Sequence, residues 1–152
     1  MIGVASPAFC QMPFINMLEQ ISEHFELWEI LSEGEDRLEQ IGEGVRYGQE
    51  SLGMSFQAHA PLSDVNVGSV HEPMRIAAVN EISQTIAMCR KLDISIVTMH
   101  PGFVQGVAFL NRSKAVEMTK RSVVEIADFA RDQSVKVAVE NLPANINGTC
   151  TS

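Results

Sequence analysis

The sequence predicts an α/β fold of the parallel (β/α) barrel type, incomplete and open, with about five strands and four helices. Three observations predict it. Short apolar runs of strand character alternate with segments of helical periodicity along the whole chain. The strand runs, such as ISIVTM, read as near-continuously apolar, which suits a sheet covered on both faces. Polar residues follow several successive strands, which suits a barrel whose site is assembled from its βα loops. An open doubly wound sheet usually carries a glycine-rich phosphate turn after its first strand. Here that segment is ASPAFCQMP, without GxG.

Residues 2–5 make a short first strand. Pro13 opens the first helix at the position proline prefers, with Phe14, Met17, Leu18 and Ile21 on one face. Residues 25–30 form the second strand. Leu38, Ile41 and Val45 mark the second helix, weakened by Gly42 and Gly44. The third strand is 54–58, with His59 at its end, and a loop runs from 61 to 72. Pro73 starts the third helix, whose buried face carries Val79, Ile82, Ile86 and Cys89. The fourth strand is 94–99, followed by a glycine-containing loop over 101–110. Asn111 can cap the fourth helix, with Val116, Val123, Ile126 and Ala130 inward. The fifth strand, 135–139, ends at Glu140, and 142–152 reads as loop. There is no linker, repeat or second domain, so 1–152 is one domain. A full barrel takes about 250 residues. The 152 residues here are therefore expected to be the N-terminal part of one, with little activity by themselves.

Composition is ordinary, with 45% hydrophobic and 20% charged residues. No apolar run is long enough to cross a bilayer, and MIGVASPAFC lacks the pattern of a signal peptide. Cytoplasm is the expected location. Cys10, Cys89 and Cys150 are widely spaced and read as free thiols. A net charge of −8 disfavours nucleic acid as a partner. Arg112, Lys114, Lys120 and Arg121 share a helix with Glu117, Glu125 and Asp128, which reads as a salt-bridged, solvated face.

The candidate site begins with His59 in SFQAHAP, His100 in SIVTMHPG and Glu140 in VKVAVENLP. All strand C-termini of a parallel sheet lie on one edge, so the three side chains are expected to share it. Two imidazoles and a carboxylate are the ingredients of a metal site. Taken singly, each histidine could equally be a structural residue bonded to backbone. Glu140 is harder to explain that way, because an unpaired buried carboxylate is costly. Glu29, at the end of LWEI, is expected at the same rim level, binding substrate hydroxyls or pairing with a neighbouring strand end. Asn141 reads as a substrate-binding amide or a loop starter. Asp64 and Asn66 line the pocket or stabilise turns. His24 reads as a surface residue and His71 as a loop or cap residue.

HAPLSDVNVGS, a helix, IVTMHPG and then VAVENLP resemble the xylose isomerase-like TIM-barrel superfamily, which contains sugar isomerases and epimerases and the endonuclease IV type of abasic-site nuclease. The resemblance covers essentially the whole chain, as the first five-eighths of such a barrel. It is strongest to proteins described as sugar phosphate isomerase/epimerase-like. In the nuclease branch the resemblance makes His59 and His100 ligands of one zinc and Glu140 a bridge to a second. In the epimerase branch it makes Glu140 both the ligand of a single divalent metal and the group that moves a proton. Both branches take further ligands from strands six to eight. The sequence departs from the family at Asp93, where a glycine is usual, which puts the local turn geometry in question.

Three functions follow as expectations. The first is a metal-dependent sugar or sugar-phosphate isomerase or epimerase, using zinc, manganese or cobalt, with Glu140 catalytic and Glu29, Asn66 and Asn141 binding substrate. The second is a zinc phosphodiesterase acting on abasic DNA, which two histidine ligands favour and the acidic surface disfavours. The third is a non-catalytic partial barrel. In the isolated chain, strands one and five each expose a sheet edge, which invites self-association.

Overall fold

Apolar residues at helical spacing bury one side of every helix against a parallel sheet. The structure is a computed structural model that describes residues 2–5, 12–143 and 147–150. The elements run β1 (Gly3–Ala5), α1 (Phe14–Ser22), β2 (Leu27–Leu31), α2 (Leu38–Ser51), β3 (Ser55–His59), α3 (Glu72–Lys91), β4 (Ile96–Met99), α4 (Arg112–Asp132) and β5 (Lys136–Val139). All four neighbouring pairs are parallel, in the order β1-β2-β3-β4-β5 that successive βα units give. Single turns of 3-10 helix occupy Gly34–Asp36 and Gly106–Leu110, the latter inside the segment expected to be loop.

The core lies between sheet and helices. Trp28 is 1% exposed and stacks on Phe14 at 4.8 Å, with Phe56 tilted against it at 6.4 Å. The glycines of α2 serve this packing. A Cβ at Gly44 would meet the Phe14 ring at 2.7 Å, and one at Gly48 would meet Phe56 at 2.7 Å. The propensity cost of glycine in a helix is therefore offset by ring contacts that alanine would block.

The sheet is not covered on both faces as the apolar runs suggested. Trp28, Ile30, Phe56, Ala58, Val97 and Met99 are buried under the helices. Their alternating neighbours Leu27, Glu29, Leu31, Gln57, Ile96 and Thr98 are only half-buried. Side chains alternate across a strand, so these line the inner face, which no described element covers.

The inward face of α4 also differs from expectation. Ala115, Met118, Thr119, Ser122, Ile126 and Ala130 are buried, whereas Val116 and Val123 are half-buried. Two hydroxyl residues point inward because each finds a partner. Ser122 Oγ donates to the Val67 carbonyl at 2.8 Å, and Thr119 Oγ1 donates to Thr149 Oγ1 at 2.9 Å. Arg75 of α3 is 1% exposed, forked onto Glu72 and bonded to Glu125 and Ser122. The charged face of α4 carries the expected pairs, among them Lys114–Glu117 and Arg121–Glu125. Asn111 caps α4 by accepting from the Lys114 amide.

Asp93 takes a left-handed φ of +54°, the conformation for which glycine is usual. Cys89 is a buried free thiol, pushed up to about 12 by burial, and Cys150 is an exposed one. Cys10 lies outside the described residues. No described helix is long and apolar enough to cross a membrane.

Candidate metal centre

His59 is the last residue of β3 and is held on both sides, in register with Leu31 of β2 and Thr98 of β4. Its Nδ1 lies 2.7 Å from the Ala60 carbonyl. A carbonyl only accepts, so Nδ1 carries the hydrogen and Nε2 is the nitrogen turned toward Glu140. This orienting bond is the arrangement that metal-ligating histidines use.

His100 follows β4 directly and sits ahead of Pro101 and Gly102. Its ring meets His59 edge-on, centroids 5.0 Å apart, and is flanked on another side by Phe103 at 5.7 Å. Burial, reinforced by the neighbouring His59, lowers its pKa, while Glu140 acts in the opposite direction. The neutral form, which binds metals, is therefore favoured. Its Nδ1 is buried and without a partner among the described residues.

Glu140 follows β5, and its amide donates to the Met99 carbonyl at 2.9 Å, which fixes it beside the end of β4. Its Oε2 lies 3.4 Å from His59 Nε2 and 3.3 Å from His100 Nε2. The three donor atoms all fall within 4.8 Å of one another. Metal bonds of about 2.0–2.2 Å need donors within about twice that distance, so a small closing movement suffices. The chemistry of the set also fits. The carboxylate oxygen lies within reach of both imidazole nitrogens, so one cation bound between them would meet all three groups. Two imidazole nitrogens and one carboxylate oxygen are ligand types that divalent metal ions accept.

These groups open into a cavity of about 320 Å³ walled by Ala5, Leu31 and Leu62, with Glu29, His59, His100 and Glu140 contributing the polar atoms. Glu29 is not level with the histidines. It pairs with Gln57, two residues before His59, because β2 continues to Leu31. Thr98 Oγ1 donates to its Oε2 at 3.2 Å.

Asn66 and Asn141 lie outside this cavity. The Asn66 amide donates to the Phe103 carbonyl at 2.9 Å and accepts from the amides of Phe103 at 2.8 Å and Gly68 at 3.0 Å. It borders an adjoining hollow of about 380 Å³, with Asp64 and Gln105, that shares Leu62 with the first. Asn141 is exposed and accepts from Cys150 Sγ at 3.4 Å. His24 and His71 are both exposed, and neither meets the cluster.

Sequence reading missed Thr98, Phe103 and Thr149. The period-2 pattern of IVTM puts Thr98 on the inner face beside Glu29 and could have found it. Nothing local marks Phe103 or Thr149, which matter only through contacts between loops.

Residues 25–151 match the family model for the xylose isomerase-like TIM barrel. An uncharacterized protein of Methanocaldococcus jannaschii, MJ1311, is 30% identical over 145 residues, covering 93% of this chain and 49% of its own length. The solved structure of a D-tagatose 3-epimerase-like protein superposes with a TM-score of 0.80 at 28% identity, over 96% of this chain and 54% of that one. A D-psicose 3-epimerase solved in the presence of D-fructose has a TM-score of 0.76 at 19% identity, over 97% of this chain and 54% of that one, a likeness of fold. The chain thus spans about half the length of the relatives it matches.

Proposed function

The chain belongs to the xylose isomerase-like TIM barrel family, and from that premise we propose that it builds part of the active site of a metal-dependent sugar or sugar-phosphate isomerase or epimerase. The observation that carries this reading is the convergence of His59 Nε2, His100 Nε2 and Glu140 Oε2 at the C-terminal edge of the sheet. The similarity to a D-tagatose 3-epimerase-like protein supports a sugar as the substrate class.

A divalent metal, when bound, would supply Lewis-acid polarisation of a sugar carbonyl and its adjacent hydroxyl. His59 and His100 serve to hold it. The buried setting of His100 keeps that imidazole neutral and ready to bind. Glu140 has two tasks. Oε2 faces the imidazoles, which leaves the other oxygen of the half-exposed carboxylate to take a proton from one carbon and return it to the next. Glu29 accepts from substrate hydroxyls at the inner end of the cavity, while Ala5, Leu31 and Leu62 exclude water from its wall. Asn141, at the outer rim, is a further amide for the substrate. A second acid–base carboxylate is expected from outside these five strands. Free thiols and the charge pattern suit a cytoplasmic enzyme.

Two histidines in the cluster favour a second reading, a zinc phosphodiesterase acting on abasic DNA. The charge of −8 and the carboxylates of the cavity weigh against binding a polyanion. The test is a pair of assays on the full-length protein that carries this chain, each with added zinc, manganese or cobalt. One follows aldose–ketose or epimer interconversion of small sugars, and the other follows incision of an abasic-site duplex. We expect sugar turnover and no incision. Metal-dependent incision without sugar turnover would install the nuclease reading, and neither activity would leave the non-catalytic one.

A further inference from the structure

We infer that Asn66 is a positioning residue for His100, acting as a side-chain staple that holds the HPGF turn against the loop after β3. The bonding is that of a strand pairing made by one side chain. Asn66 Nδ2 donates to the Phe103 carbonyl at 2.9 Å, and Oδ1 accepts from the Phe103 amide at 2.8 Å. The same Oδ1 accepts from the Gly68 amide at 3.0 Å. Only an oxygen can take two N–H groups, so the amide orientation is fixed by its partners. Phe103 in turn lies edge-on to the His100 ring at 5.7 Å. The staple therefore reaches the imidazole through one intervening residue.

The two loops are pressed together where this happens. Gly102 has a φ of +91°, and a Cβ there would lie 2.5 Å from the Gly68 amide nitrogen and 3.1 Å from Asn66 Oδ1. Any side chain at that place would separate the loops and break the bonds to Asn66. A second tie closes the arrangement from the other side. Thr149 Oγ1 donates to the Pro101 carbonyl at 2.6 Å, and its amide donates to Gly102 at 3.0 Å. The turn carrying His100 is thus bound to the segment after His59 by Asn66 and to the segment after Glu140 by Thr149. The bonds of Asn66 itself all run to backbone, so its contribution to the site is geometric.

This assignment rests on the metal-site reading for its consequence but not for its geometry, and the test separates the two. The variants are Asn66→Ala and, as a buried control in α3, Ile86→Val. The first readout needs no metal. In the full-length protein that carries this chain, amide hydrogen exchange at Phe103 and Gly68, and the cross-ring NOE between Phe103 and His100, are followed by NMR. We expect protection and the NOE in the wild type and in Ile86→Val, and loss of both in Asn66→Ala. The second readout is titration with cobalt(II) alone, followed by its visible d–d absorption. We expect Asn66→Ala to weaken binding about 10–100-fold, the range for partners that orient ligands, and to alter the band shape, with Ile86→Val unchanged. Retention of Phe103 protection and the NOE in Asn66→Ala would overturn the staple, whatever the cobalt result. A wild type with the NMR signatures but no cobalt binding would overturn the metal reading and leave the staple standing.

Discussion

Thr98 donates its hydroxyl to Glu29 at 3.2 Å although the two residues belong to β4 and β2, with β3 between them. The bond spans β3, on which Glu29 is in register with Gln57 and Thr98 with His59. It steadies a carboxylate that also borders the cavity of His59, His100 and Glu140. Glu29→Gln keeps an acceptor for Thr98 but removes the charge. In the full-length protein this substitution should raise KM for the sugar about tenfold and leave cobalt affinity within about twofold, in line with the loss of one charge-assisted hydrogen bond. Steady-state kinetics and a cobalt titration check it. An equal loss of cobalt affinity would make Glu29 a ligand instead.

Removing a ligand should cost more than removing a group that orients one. His59→Ala and His100→Ala are each expected to weaken zinc or cobalt binding by more than about 100-fold, beyond the 10–100-fold typical of outer partners. Glu140→Gln should abolish turnover in the full-length protein, because the amide cannot accept the proton. Circular dichroism should show all three folded.

Asp36 supplies a pH dependence. It is 1% exposed, its Oδ1 has no partner among the described residues, and burial, assisted by Glu35, raises its pKa from 3.8 to about 7. Below pH 3.8 the folded and unfolded chains both carry the proton. Between 3.8 and about 7 only the folded chain keeps it, so stability falls as pH rises through that window. The full penalty, up to about 4 kcal/mol at about 1.4 kcal/mol per unit, is present above it. Asp36→Asn should therefore be stabilising at pH 8 and flatten the dependence between pH 4 and pH 7. Urea denaturation at a series of pH values measures this, and a variant destabilised equally at all pH values would contradict it.

Among the described residues, β1 pairs only with β2 and β5 only with β4. Ile2 is 77% exposed and Val139 38% exposed beside these edges. Free edges recruit other strands, so the isolated chain should self-associate, and Val139→Lys should reduce that association. Light scattering that finds a dilute monomer with a sharp cooperative melt would contradict the expectation.

The sheet order and the three converging strand ends were legible because each rests on a local signal. Apolar runs mark the strands, and a parallel sheet puts all their C-termini on one edge. Glu29 was misjudged by one step of the pleat, since LWEIL continues the strand through Leu31 where LWEI was read as its end. The inward face of α4 was hidden by chemistry. Thr119 and Ser122 carry no apolar signal, and only their bonds to Thr149 and the Val67 carbonyl explain their burial. Arg75 was invisible for the same reason, with its partners on another turn and another helix. The fastening of the loops by Asn66 and Thr149 has no periodicity at all, because it depends on backbone groups 37 and 48 residues away.

Whether His59, His100 and Glu140 share one metal ion is tested by anomalous diffraction from zinc-soaked crystals of the full-length protein that carries this chain, with data on both sides of the zinc edge. A strong peak is expected about 2.0–2.2 Å from the His59 and His100 Nε2 atoms and from a Glu140 carboxylate oxygen. A peak elsewhere, or none at this edge of the sheet when zinc is present in excess, would contradict it.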